Sequence, residues 1–131
     1  MILETSQLLC GVHHLSGSSE IPYKLSHKNH PCSIWARESL TNYLYLCELG
    51  LELCKEYTYR YGRKHKCEDI LDWCISHKPN LADIGLTDFP LAMPQEYKVD
   101  SAVQSYRNYY IGAKKDFCKW TNRNVPNWFS V

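Results

Sequence analysis

The stretch SHKNHPCSIWARESLTNYLYLCELGLELCKEYTYRYGRKHK, Ser26 to Lys66, decides the fold. Pro31 suits the first position of a helix, where its missing N–H leaves nothing unsatisfied, and Asn29 or His30 can cap the turn. Ala36, Leu40, Tyr43, Cys47, Leu51 and Cys54 then recur at spacings of three and four, and Trp35, Leu46, Leu49 and Leu53 broaden the stripe. That periodicity describes a helix buried over a wide face. Gly62, with Arg60 before it and Arg63-Lys64 after it, is the stop signal. Gly50 is the weak point inside, about 1 kcal/mol worse than Ala, which leaves a kink or break there as an open alternative. The reading is one long central helix from Pro31 to about Gly62.

Working outward, Ile2, Leu3, Leu8, Leu9 and Val12 predict a short helix reaching about His13–His14, with a buried strand as the alternative. LSGSSE and Ile21-Pro22 read as a loop. A third helix is expected over Glu68–His77, with acids in its first turn and Pro79 ending it. From Asn80 to Lys98, Gly85, Pro90 and Pro94 predict a long ordered loop, a type more often functional than idle. A last helix, capped by Asp100, carries Val103, Tyr106, Tyr110, Ala113, Phe117 and Trp120 at helical spacing. The tail TNRNVPNWFSV is aromatic enough to dock through Trp128 and Phe129. The expected fold is mainly α: a compact single domain, 1–131, built around the central helix with long ordered loops.

A chain of 131 residues can bury one core without staples. Its formal net charge of +1 points to no class of partner, but the charge is unevenly spread. Lys55 to Lys66 holds five Lys/Arg against one Glu, Cys67 to Asp100 seven acids against two Lys, and Ser101 onward five Lys/Arg against one Asp. Two basic segments can therefore make positive surface on a nearly neutral protein. The seven cysteines form no Cys-x-x-Cys pair, and Cys47 with Cys54, like Cys67 with Cys74, share a helical face as small core residues. MILETSQLL lacks the basic and apolar regions of a secretory signal, and no apolar run nears the roughly 20 residues of a membrane span. A reduced, intracellular, cytoplasmic protein away from membranes is the expectation.

Three groups of side chains offer chemistry. His27, His30, Arg37, Glu38 and Asn42 gather near the start of the central helix. Arg37 and the imidazoles are donors for phosphate, Glu38 is a candidate general base or acid, and His30 is a second catalytic candidate. The plainer alternative is a helix cap with ordinary salt bridges. Glu56 to Lys66 interleaves Tyr57, Tyr59 and Tyr61 with Arg60, Arg63, Lys64 and Lys66, a composition that suits bases on rings and phosphates on cations, or simply a solvated helix end. In the last segment Arg107 and Lys114 are seven apart on one helical face with Tyr110 between them, followed by Arg123 and Trp128. Partly desolvated cations of this kind need anionic partners. His13, His14, His27, His30, Cys32 and His65 match no zinc spacing, so no metal is expected, and no Walker or Rossmann fingerprint indicates a cofactor.

His30-Pro31, Trp35, Asn42-Tyr43, Glu56-Tyr57, Arg60 to Gly62, Met93-Pro94, Tyr106 to Tyr110, Lys114 and Trp120 to Trp128 together resemble a family of small phage and bacterial proteins. The helical content and the Trp35 to Glu38 segment are also similar to phage-type pyrimidine-dimer DNA glycosylases of the endonuclease V class. That second resemblance implies Glu38 as catalytic acid and Arg37 as a phosphate contact. Those enzymes attack with the amine of a small second residue, whereas this chain starts Met1-Ile2, which leaves binding without lyase chemistry as the expectation.

The leading expectation is thus a protein binding a phosphorylated nucleobase, in DNA or as a free nucleotide. His27, His30, Arg37, Arg60, Arg107, Lys114 and Arg123 would engage phosphate. Tyr57, Tyr110 and Trp128 would stack, and Glu38 and Asn42 would read or activate the ligand. As an enzyme it would be a glycosidic-bond or nucleotide hydrolase. The alternatives are a counter-defence protein that sequesters a nucleotide in a closed pocket at a homo-oligomer interface, and a helical protein–protein adaptor.

Overall fold

The computed structural model describes residues 2–17 and 21–129. All regular structure among them is helical, so the fold is mainly α. The elements are α1 (Ile2–Ser16), α2 (Pro31–Glu38), α3 (Leu40–Tyr61), α4 (Glu68–Ser76) and α5 (Ala102–Gly112). Short 3-10 turns cover Gln95–Tyr97 and Lys115–Phe117. The chain divides into two compact units, Met1–Asp88 and Phe89–Val131.

In the first unit α1 packs on α2, α3 and α4, and α3 packs on α2 and α4. Leu8, Leu9, Val12, Trp35, Ala36, Tyr43, Leu46 and Leu71 fill the centre with five buried cysteines: Cys10, Cys47, Cys54, Cys67 and Cys74. All seven cysteines are free thiols. The N-terminal segment is the helix, not the strand: Ile2, Thr5, Leu9 and Val12 recur at steps of three and four, and Leu8 to His13 are all buried, so its middle is enclosed on every side. Of the loop expected over Leu15–Glu20, residues 18–20 lie outside the described set, and Gly17 closes α1 at φ 85°.

The central helix differs from expectation in one decisive way. It breaks at Ser39, not at Gly50. Ser39 is extended (φ −154°, ψ 145°) and serves both as the end of α2 and as the N-cap of α3. The loop after α4 supplies what the interrupted helix lacks. Leu40 N–H donates to the Ala82 carbonyl, and Asp83 Oδ1 accepts from Ser39 Oγ, Thr41 N–H and Thr41 Oγ1. Orphaned amides at a helix start are satisfied in this way. Gly50 instead lies buried in mid-helix. A Cβ there would sit 3.0 Å from both Leu71 methyls and 3.2 Å from Thr5 Cγ2, so its missing side chain lets α1 and α4 close on α3.

The ends follow the local rules. His30 caps α2, its Nδ1 accepting from Cys32 N–H, with Pro31 next. Gly62 ends α3 in the left-handed region at φ 69°.

The second unit is lightly buried. Among its described residues only Ser105 is fully buried. Its helix is shorter than expected: Ser101, not Asp100, is the N-cap, and the chain leaves the helix at Ala113. Phe117 and Val103, expected in the apolar stripe, are instead exposed, Phe117 by 78%. Ser105 Oγ accepts from Val99 N–H and lies 3.0 and 2.8 Å from the Val99 and Ser101 carbonyls. Tyr106 donates to the Pro90 carbonyl at 2.6 Å and accepts from Ala92 N–H, which ties the loop to α5. In the tail Trp120, Trp128 and Phe129 meet edge-on, with ring centres 5.4 to 6.1 Å apart.

Candidate functional site

Around α2 the polar candidates are engaged by the fold itself. Arg37 Nη1 donates to the Lys28 carbonyl at 2.7 Å and to Ser33 Oγ at 3.4 Å, pinning the preceding loop. His27 sits at φ 54°, with its carbonyl accepting from His30 N–H, and the two imidazoles lie edge-on 6.4 Å apart. His30 Nε2 is 3.8 Å from Glu4. Glu38 is exposed and accepts from Thr87 Oγ1. Asn42 is fully buried: its amide donates to the Trp35 carbonyl and Thr87 Oγ1 and its oxygen accepts from Thr87 N–H. Trp35 Nε1 donates to the Thr87 carbonyl. These side chains brace the α2–α3 corner and the loop strapped across it.

Arg60 lies eighteen residues beyond Asn42 on α3, about 27 Å at 1.5 Å per residue. One small ligand cannot touch both. Arg60 Nε is bound to Glu56 at 2.7 Å, and Lys64 is paired with Asp69 and Glu68. Beside them Tyr57 meets Tyr61 at 4.9 Å and His65 at 4.8 Å. Arg63 donates through Nε to the Tyr57 hydroxyl, with its guanidinium 6.0 Å from that ring centre. Partial burial, then the charge of Lys66, lowers the His65 pKa, and its Nδ1 accepts from Cys67 N–H.

The second unit holds five of the expected residues: Arg107, Tyr110, Lys114, Arg123 and Trp128. Arg107 and Trp128 meet with the guanidinium carbon 5.3 Å from the ring centre. Lys114 Nζ lies 5.5 Å from the Tyr109 ring centre and 5.8 Å from that of Phe117. Cations over ring faces are held by the ring's negative quadrupole. Tyr110 is half-buried, and its pKa is raised first by that burial, then by Cys118 and Tyr109. Arg123 follows a tight turn, donating its amide to the Trp120 carbonyl. Among the described residues neither Arg107 nor Lys114 has a carboxylate within ion-pair distance, since every ion pair found there lies in the first unit. The second unit also holds six Lys/Arg against three Asp/Glu, whereas the first holds nine against eleven. Positive charge therefore belongs to the second unit.

Two features escaped the sequence reading. An open groove of about 480 Å³ between α3 and α4 is lined by Glu48, Leu51, Glu52, Lys55, Glu68 and Asp72. These acids come from different helices, so spacing alone carried no signal. The second is His13, buried in the core against Tyr43 and Trp73. Its place at the end of an apolar helical face was the available signal. Among the described residues no three His, Cys, Asp or Glu side chains come together as metal ligands would. Among the described residues no helix is long and apolar enough to cross a membrane.

No family model, curated protein or solved structure matches the chain.

Proposed function

We propose that the protein binds a phosphorylated nucleobase, as a nucleotide or within DNA, on the α5 face of the Phe89–Val131 unit. The observation that carries this reading is two cation–ring pairs in this unit, Arg107 with Trp128 and Lys114 with Tyr109 and Phe117, in which neither cation has a carboxylate within ion-pair distance among the described residues. A phosphate supplies the anionic partner such cations lack, through charge-assisted hydrogen bonds. A base stacking on the exposed Phe117 ring or beside Trp128 adds about 1–3 kcal/mol. The reading assigns binding alone: Glu38 and His30 carry no reaction step in it. Tryptophan fluorescence titrated with nucleoside phosphates tests it. Arg107→Ala and Lys114→Ala each weaken binding by about tenfold or more, near 1.4 kcal/mol, and the unphosphorylated nucleoside binds poorly. Equal affinity for the variants overturns the reading. Nucleotide released on denaturing the purified protein marks sequestration; turnover of labelled DNA or nucleotide marks the hydrolase or glycosylase alternative.

A second reading, a helical adaptor for a protein partner, is favoured by one feature. Ile84 and Leu86 are 67% and 52% exposed on the loop that Ser39, Thr41 and Asn42 hold in place. An Ile84→Ser/Leu86→Ser variant that keeps nucleotide affinity but loses a protein partner establishes that role.

A further inference from the structure

We infer that the C-terminal end of α3 is a second nucleobase platform, and that its ligand is single-stranded nucleic acid rather than a free nucleotide. This rests on the nucleotide-binding reading of α5 for its chemistry, but on different residues. Tyr61 is half exposed, and its ring lies against Tyr57, which Arg63 fixes from both its hydroxyl and its face. His65 closes on the same ring from the side. The result is a braced aromatic surface with little freedom left to lose when a base stacks on it. Every base presents a π-face, so such a surface accepts any sequence.

The charges decide what the platform can hold. The end of α3 carries about half a negative charge from the helix dipole, which by itself repels phosphate. Arg60 and Lys64 are committed to Glu56, Glu68 and Asp69. Arg63 and Lys66 are exposed and have no carboxylate within ion-pair distance among the described residues. Lys64 answers two carboxylates, so one negative charge remains beside it; Arg63 and Lys66 outweigh that charge and the dipole together by about half a unit, which leaves a small net attraction for phosphate. Tyr61, Arg63 and Lys66 lie open to solvent, with Tyr57 partly buried against the core beneath them. An open surface that offers stacking and two phosphate contacts suits a strand running across it, whose neighbouring nucleotides supply the remaining affinity.

The test uses the full chain and a fluorescent 20-nucleotide oligo(dT), with thymidine triphosphate as the mononucleotide probe. In the Arg63→Ala/Lys66→Ala double variant the slope of log K against log salt for oligo(dT) falls by about 1.4, since each lost single-strand phosphate contact removes about 0.7. Tyr61→Ala weakens oligo(dT) binding by about fivefold or more, from the loss of one stacked base. Thymidine triphosphate binding, which depends on Arg107, stays unchanged in these variants. Unchanged oligo(dT) affinity and slope in the variants overturn the inference while leaving the α5 reading intact. Wild-type protein that binds the triphosphate but not the oligonucleotide overturns it in the same way. Failure of both probes to bind wild-type protein overturns both readings.

Discussion

His13 Nε2 lies 2.6 Å from the Tyr43 hydroxyl in the core of the first unit, and that hydroxyl donates to the Cys74 carbonyl at 2.8 Å. Tyr43 has one proton and gives it to Cys74, so the imidazole must be the donor and carries its hydrogen on Nε2. Helices α1, α3 and α4 are thus joined by one buried polar relay.

Burial, reinforced by His77 and His14, lowers the His13 pKa to about 4 from 6.5. A depressed histidine pKa means that the unfolded chain takes up a proton first as pH falls. The stabilising contribution is complete above about 6.5 and is lost as pH drops towards 4, amounting to about 3 kcal/mol over the window. Urea denaturation at pH 7.5 and 4.5 measures it, and His13→Gln removes this component of the pH dependence. Tyr43→Phe leaves the His13 donor and the Cys74 carbonyl unpaired and destabilises by about 2–4 kcal/mol.

The corner at Ser39 makes a second prediction about acid. Hydrogen bonds from Thr41 Oγ1, the Gly85 amide, Ser39 Oγ and the Thr41 amide hold the Asp83 carboxyl below its usual range. Its contribution is present above about pH 3.8 and is lost as pH falls through the lower, folded value. Asp83→Asn at pH 7 therefore speeds amide hydrogen exchange at Thr41, Ile84 and Gly85 while leaving α1 and α4 protected. Unchanged exchange at those amides removes the clasp from the account.

At Gly50 two effects of opposite sign compete. Alanine gains about 1 kcal/mol in helix propensity. Its methyl meets Leu71 and Thr5 at 3.0 to 3.2 Å, and both are buried with no room to retreat. Overpacking of this kind costs about 1–3 kcal/mol. Gly50→Ala is therefore destabilised by about 1 kcal/mol in a thermal or urea melt, and Gly50→Leu by more. A stabilised Gly50→Ala shows that the helices do not meet there.

The thiols divide by exposure, not by pKa. A hydrogen bond with Cys74 lowers the Cys10 pKa, yet Cys10 is fully buried. Brief alkylation of the native protein labels Cys32 and Cys118 and spares Cys10, Cys47, Cys54, Cys67 and Cys74; denatured protein labels all seven. Early labelling of any of the five shows that the core opens.

The helical class, the Pro31 start and the Gly62 stop were legible because each rests on local backbone chemistry or on periodicity. Ser39 was not, although it is among the strongest N-cap residues. Within an unbroken apolar stripe its alternative role emerges only once Asp83, forty-four residues later, is placed beside it. Gly50 drew attention for its propensity, while its structural reason is a contact with two other helices. The same limit governs the candidate residues. Asn42 and Arg37 have side chains suited to ligands, and the structure gives them backbone partners. Arg107 and Trp128, twenty-one residues apart with no regular spacing between them, meet because the tail turns back on α5 within its own unit.

The central claim is that a phosphorylated nucleobase settles on Arg107 and Trp128. The most direct measurement follows the indole N–H resonances of Trp35, Trp73, Trp120 and Trp128 by ¹⁵N–¹H NMR as a nucleoside triphosphate is added. The account predicts saturable shifts at Trp128, smaller ones at its neighbour Trp120, none at Trp35 and Trp73 of the first unit, and loss of the response in Arg107→Ala. A Trp128 signal that stays fixed, or one that moves equally in Arg107→Ala, contradicts it.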